Sequence, residues 1–154
     1  MGLSLEDSIQ RIDNLILTLE AQIPRIATEI SLGVKANIQD RFQESGKDAT
    51  GKLLPPYSEP YAKYRDKNKL QTEYVDLTFS RGGIGMWSKT GLTGVTKGKK
   101  FLVSIGGQDG ETKDKLRWNS ERYGDILRPS KSERNEAIEI FSFRLEKIVK
   151  DAFR

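Results

Sequence analysis

Ile9, Ile12, Ile16, Leu19, Ile23, Ile26, Ile30, Val34, Ile38 and Phe42 recur at steps of three and four residues. That spacing lines them up along one face of a helix, with polar positions filling the rest of its circumference. The pattern predicts a helix over 5–44. Ser4, followed three residues later by Asp7, supplies a start signal of the capping-box kind. Gly46 supplies a stop. Pro24 lies inside the pattern, where it removes one backbone hydrogen bond and crowds the carbonyl of Glu20. It predicts either a kink or two abutting helices, and the unbroken phase of the stripe favours a kink. A helix of this length would run about 60 Å at 1.5 Å per residue. That is longer than a chain of this size is wide, so part of the stripe is expected to meet another subunit, with Ile23 and Ile26 as candidate interface positions.

Beyond it the pattern changes. Residues 45–72 are rich in proline and tyrosine and read as a loop: Pro55, Pro56 and Pro60 oppose regular helix or central strand. A short helical turn from Glu59 would set Tyr61 and Tyr64 on one side. Residues 73–106 carry strand signals. Val75, Leu77 and Phe79 alternate with Asp76, Thr78 and Ser80. RGGIG at 81–85 then breaks the strand. A hairpin is expected from Met86–Val95 and Phe101–Ile105, turning through Lys97-Gly98, with Phe101, Val103 and Ile105 facing inward. A short helix is expected over 112–122. A last helix is expected over 130–153, capped by Ser130 and Glu133, with Ile138, Phe141, Leu145, Ile148 and Ala152 on its apolar face. Strands grouped between helices predict an α+β fold: a long kinked N-terminal helix, an antiparallel sheet with a central hairpin, and a C-terminal helix packed on that sheet.

Composition narrows the chemistry. The 154 residues fit one domain. There is no cysteine and no histidine, which removes disulfides, thiolate nucleophiles and the commonest general base and metal ligand. An enzyme would have to work with Asp, Glu, Lys, Tyr or Ser. No signal-peptide pattern opens the chain, and no segment approaches the ~20 apolar residues of a membrane span. The expectation is a protein made in the cytoplasm, with no membrane contact and no cofactor. The net charge of +4 is uneven. Residues 1–45 hold 4 basic and 7 acidic side chains, residues 46–105 hold 11 and 5, and residues 106–154 hold 11 and 10.

Three motifs bear on the chemistry. GVTKGKK, at 94–100, lacks the spacing of a phosphate-binding loop and has Lys100 where a magnesium-binding Ser or Thr belongs. Glu111-Thr112-Lys113, with Asp76 or Asp109 upstream, has the acid-x-Lys form of a metal-dependent nuclease but lies in a glycine-flanked loop. The lysines of 52–69, Lys63, Lys67 and Lys69 among them, and Lys97, Lys99 and Lys100, with Arg65 and with Tyr57, Tyr61 and Tyr64 interleaved, form a basic and aromatic mixture able to contact DNA, the mark of a small nucleic-acid-binding protein. Acids at Asp48, Glu59 and Asp66 balance part of it. Acidic protein partners remain the alternative. No catalytic and no metal-binding set emerges.

Asp48-Ala49-Thr50-Gly51-Lys52 leads through Pro55-Pro56-Tyr57-Ser58 to Tyr61-Ala62-Lys63-Tyr64-Arg65. This order resembles the D-x-x-G-K-x-W-x-P-L-S pattern and Y-A-K-x-R element of tailed-phage virion morphogenesis proteins, the tail-completion or neck family. Leu77-Thr78-Phe79-Ser80 and Met86, then Tyr123-Gly124, Arg128-Pro129 and Ser130, continue the likeness over about 38–150. Leu53 or Leu54 stands in place of the pattern's tryptophan. The resemblance implies a structural virion protein, assembled in the host bacterial cytoplasm into a six- or twelve-fold homo-oligomeric ring. Its expected neighbours are connector, portal or tail proteins, with possible contact to DNA in the channel. Tyr57, Tyr61, Tyr64, Arg65, Met86 and Trp87 join Ile23 and Ile26 as candidate interface residues, and Lys97, Lys99 and Lys100 form the candidate basic patch.

Overall fold

The N-terminal stripe folds as one helix, α1, Leu5–Ser45. Ser4 Oγ accepts from Asp7 N at 3.1 Å, and the Asp7 carboxylate accepts from Ser4 N at 3.3 Å. These bonds satisfy donors that a helix start leaves open. At the far end Gly46 takes φ 58° and donates to Phe42 O at 3.0 Å. A side chain there would also meet Tyr74 Cβ at 2.8 Å, so conformation and packing both call for glycine. Pro24 lies within the helix without dividing it, which removes the two-helix alternative. The computed structural model describes residues 4–78, 85–97 and 100–154.

The C-terminal helix, here α4, spans Lys131–Ala152 and begins with the expected Ser130–Glu133 capping box. It lies along α1 rather than on the sheet, which corrects the sequence-based expectation. Arg41 pairs with Glu133, Asn37 with Glu136 and Glu29 with Arg144. Numbers fall on one helix as they rise on the other, so the two run antiparallel. The stripe of α1 offered α4 a longer apolar partner than the small sheet could. The inner line of α4 runs through Ala137, Phe141, Leu145 and Ile148, whereas Ile138 points outward. Glu133 serves twice, closing its own cap and binding Arg41.

The sheet is smaller than expected. The stretch 73–78 forms no strand: Val75, Asp76 and Leu77 are all buried, and Leu77 takes φ 54°. Inward Val75 and Leu77 mimic strand alternation, but Asp76 turns inward with them because it has a buried cationic partner. Phe79, Ser80 and residues 81–84 of RGGIG lie outside the described residues. Met86–Lys89 forms a 3-10 helix rather than the start of a strand. The antiparallel pair is β1, Thr90–Lys97, and β2, Lys100–Gly107, in register from Thr90 opposite Gly107 to Lys97 opposite Lys100. Phe101, Val103 and Ile105 alternate inward as expected. The molecule is therefore α+β, with a two-stranded antiparallel ribbon.

A two-stranded ribbon is marginal alone, and this one leans on α1 and on the third helix. That helix, α3, is Gly110–Tyr123, with Asp109 accepting from Thr112 N at 2.7 Å. Lys89 and Thr112 hold the Asp109 carboxyl low, Thr112 contributing most, at about 2. The core gathers around the last turns of α1. Ile38 and Phe42 meet Leu54, Val75 and Leu77 from the loop, Met86 and Trp87 from the 3-10 helix, and Leu116 from α3. Phe42 and Trp87 stack with ring centroids 5.8 Å apart.

Candidate protein-interaction surfaces

The proline–tyrosine segment is not wholly loop. Asp48 Oδ1 accepts from Thr50 N at 2.8 Å, Thr50 Oγ1 at 2.6 Å and Lys52 N at 3.0 Å. Gly51 completes this turn at φ 87°, a region that suits glycine. The Asp and Gly of the D-x-x-G-K motif thus shape backbone. Residues Glu59–Lys67 then form a helix, α2 in the chain order, with Pro60 in its first turn. There a missing N–H costs nothing.

The α2 helix delivers Arg65 into the interior, where the residue is 1% exposed. Its Nη2 meets Asp76 Oδ2 at 2.7 Å and its Nε donates to Gln71 O at 2.7 Å. Tyr57 donates to Asp76 Oδ1 at 2.8 Å, and its hydroxyl accepts from Asp76 N at 3.0 Å. The guanidinium also lies 4.6 Å from the Tyr57 ring centroid, within cation–π range. Burial alone would raise the Asp76 carboxyl. Donation by Thr78 and Tyr57, with the charge of Arg65, outweighs it and holds the group below the usual carboxylate range. Burial pushes the Tyr57 hydroxyl up. A buried ion pair so fully bonded fixes the loop's path; removing one member would strand the other. Among the described residues two buried polar side-chain atoms, Arg65 Nη1 and Trp87 Nε1, meet no acceptor in good hydrogen-bond geometry.

Arg65 lines a cleft of about 370 Å3 between α2 and α3. Tyr57 and Tyr61 form one wall, Met86 and Leu77 edge it, and Trp118, Arg122 and Tyr123 close the other side. Tyr61 meets Tyr57 edge-on at 5.1 Å and stacks on Tyr64 at 6.1 Å. Trp118 remains 58% exposed, an unusual setting for a large aromatic in a folded chain. Lys115 and Arg122 bring further positive charge; Lys115 pairs with Glu111 at 2.6 Å, while Arg122 makes no ion pair among the described residues.

The second surface is the N-terminal part of α1. Ile26 is 5% exposed, covered from the α4 side, whereas Ile12 is 48% exposed on the same stripe. Leu5, Ile9, Ile16 and Leu17 are exposed with it. The last turns of α4, through Lys147 and Ile148, lie beside Gln22 and Arg25 of α1, and α4 ends one turn later at Ala152, so α1 runs on past it over about residues 5–20. That is an arm of about 24 Å.

The structure redistributes the candidate residues. Tyr57, Tyr61, Arg65 and Met86 converge on the cleft, and Tyr64 flanks it on α2. Trp87 does not join them: it is a core residue, because its ring is needed against Phe42. Ile26 is likewise used within the chain, and Ile23 is half-buried beside it; the open stripe lies closer to the N-terminus. Lys97 and Lys100 stand opposite each other at the exposed end of the ribbon, and Lys99 lies outside the described residues. Lys115, Trp118 and Arg122 were not singled out from sequence, although their spacing of three and four places them on one face of α3. The nuclease candidates are engaged elsewhere: Asp76 in the buried pair, Asp109 as a cap bonded to Lys89, and Glu111 with Lys115. Among the described residues no group of acidic side chains is placed to hold a metal, and no helix is long and apolar enough to cross a membrane. Comparison with family models, with curated proteins and with solved structures finds no match to the chain.

Proposed function

We propose that the protein is a structural subunit of a tailed-phage virion, a neck or tail-completion component that acts by assembly and performs no catalytic step. The observation that carries this reading is the pairing of two unlike surfaces on one chain, an apolar-striped arm and a basic, aromatic cleft. Two different complementary surfaces per subunit generate head-to-tail contacts, and such contacts close into rings when the rotation allows. The motif residues add support. The Asp48–Lys52 turn, α2 with Arg65, and the Ser130 cap all shape backbone, as residues that define a shared scaffold would. The proposed partners are copies of the chain and neighbouring connector, portal or tail proteins, and the proposed location is the virion.

Mass spectrometry of purified virions tests this. The expected result is the chain present at a copy number matching a ring; absence from virions contradicts the reading. A second reading, a small nucleic-acid-binding protein, is favoured by Lys97 and Lys100 at the ribbon's exposed end. It predicts DNA binding that weakens steeply with salt and is lost when Lys97, Lys99 and Lys100 are neutralised together.

A further inference from the structure

Glu6, Asp13 and Glu20 recur every seven residues along the arm. Leu5, Ile9, Ile12, Ile16 and Leu19 keep steps of four and three, the spacing of a helical seam. At 100° per residue the three acids fall on one flank of that seam. The arm therefore presents an apolar stripe edged by a row of negative charge. It carries Arg11 against Glu6, Asp7, Asp13 and Glu20, a net charge of −3.

The cleft presents the complement. Its walls are aromatic, and Lys115 and Arg122 line it beside the buried Arg65–Asp76 pair. Its volume suits inserted side chains rather than a whole helix. The arm leads away from the body beyond the end of α4, so the cleft it meets belongs to another molecule. Pairing of two arms would set two net charges of −3 side by side, which opposes that arrangement.

We infer that the arm of one copy docks across the Arg65 cleft of a second copy, its isoleucine stripe against the aromatic wall and its acids toward Lys115 and Arg122. This rests on the reading that copies of the chain associate head to tail, and it names the two surfaces that meet. The contact is heterologous, so each copy gives one arm and receives another.

The chain has no cysteine, so single cysteines report contacts cleanly. Ile9→Cys, Ile12→Cys and Ile16→Cys variants of the full chain are each mixed with a Ser58→Cys variant and treated with a short bismaleimide. Ser58 lines the cleft, and its side chain makes no cap bond to α2. The expected product joins an arm cysteine to Ser58→Cys of another copy. Products joining arm to arm overturn the inference. Wild-type protein that assembles while no arm-to-cleft product forms overturns it too and leaves the ring reading standing. A chain that stays monomeric at its highest soluble concentration overturns both. A Lys115→Glu, Arg122→Glu double variant is expected to stay folded by circular dichroism and to self-associate about tenfold more weakly. Unchanged association in that variant removes the charge complementarity on which the docking depends.

Discussion

The two ends of α1 share one stripe and one helix, yet differ in what covers them. Toward Ser45 the stripe reaches Ile38 and Phe42, both sealed in the core, and α4 covers the middle through Ile26. Toward Leu5 the same periodicity continues over Ile9, Ile12 and Ile16, all exposed. The difference teaches that amphipathic spacing records how a face is built and not whose surface covers it. Burial separates the two uses. Residues past about Gln22 stabilise the molecule itself, whereas residues before it leave their apolar area exposed, the area proposed above to meet another chain.

Substitutions should divide along that line. The largest effects are expected at the buried end and in the ion pair it packs beside. Phe42→Ala should cost about 3–5 kcal/mol in urea unfolding, from lost burial and the cavity left against Trp87. Arg65→Ala should cost a similar amount, about 3–5 kcal/mol, because it strands Asp76 in the interior. Both are large beside the ~5–15 kcal/mol that holds a typical domain together.

The same pair makes stability depend on acidity. Asp76 has a lowered pKa in the folded state relative to its ordinary 3.8. Its contribution is therefore complete above that ordinary value and is lost as pH falls through the lowered one. Urea midpoints taken from pH 5 down to about pH 2 should fall once the pH drops below that ordinary value, and Asp76→Asn, less stable throughout, should show a shallower fall. An equal slope in that variant would assign the acid sensitivity to other carboxylates.

A smaller effect is expected at the start of α4. Ser130→Ala removes the oxygen that accepts from Glu133 N and should cost about 1 kcal/mol in a thermal melt. The smallest is expected on the arm. Ile12→Ser should change the unfolding free energy by no more than about 0.5 kcal/mol, while self-association weakens.

Local chemistry was legible in the chain and non-local chemistry was not. Ser4 with Asp7, Ser130 with Glu133, and Gly46 each act on backbone within a few residues, so spacing alone located them. The short turn from Glu59 is α2, for the same reason. Residues 73–78 misled because Asp76 is held by Arg65, eleven positions earlier and on another element. No local pattern announces that an aspartate will be buried. The partner of α4 was equally hidden: its apolar face could be read, but whether α1 or the ribbon would cover it depends on their relative lengths once folded. Of the interface candidates, Tyr57, Tyr61, Arg65 and Met86 lie at one cleft, while Trp87 went to the core because aromatic side chains serve burial as readily as recognition. Lys115, Trp118 and Arg122 carry a periodic signal, but spacing alone does not say that α2 stands opposite that face of α3.

The most direct measurement is sedimentation of the wild-type chain beside an Ile9→Ser, Ile12→Ser, Ile16→Ser variant, with urea unfolding of both. The wild type is expected to sediment as an assembled species, and the variant as a monomer with an unchanged unfolding midpoint. A variant that assembles as the wild type does, or whose midpoint falls like that of a core substitution, would contradict the assignment of residues 5–20 as an arm held for another copy.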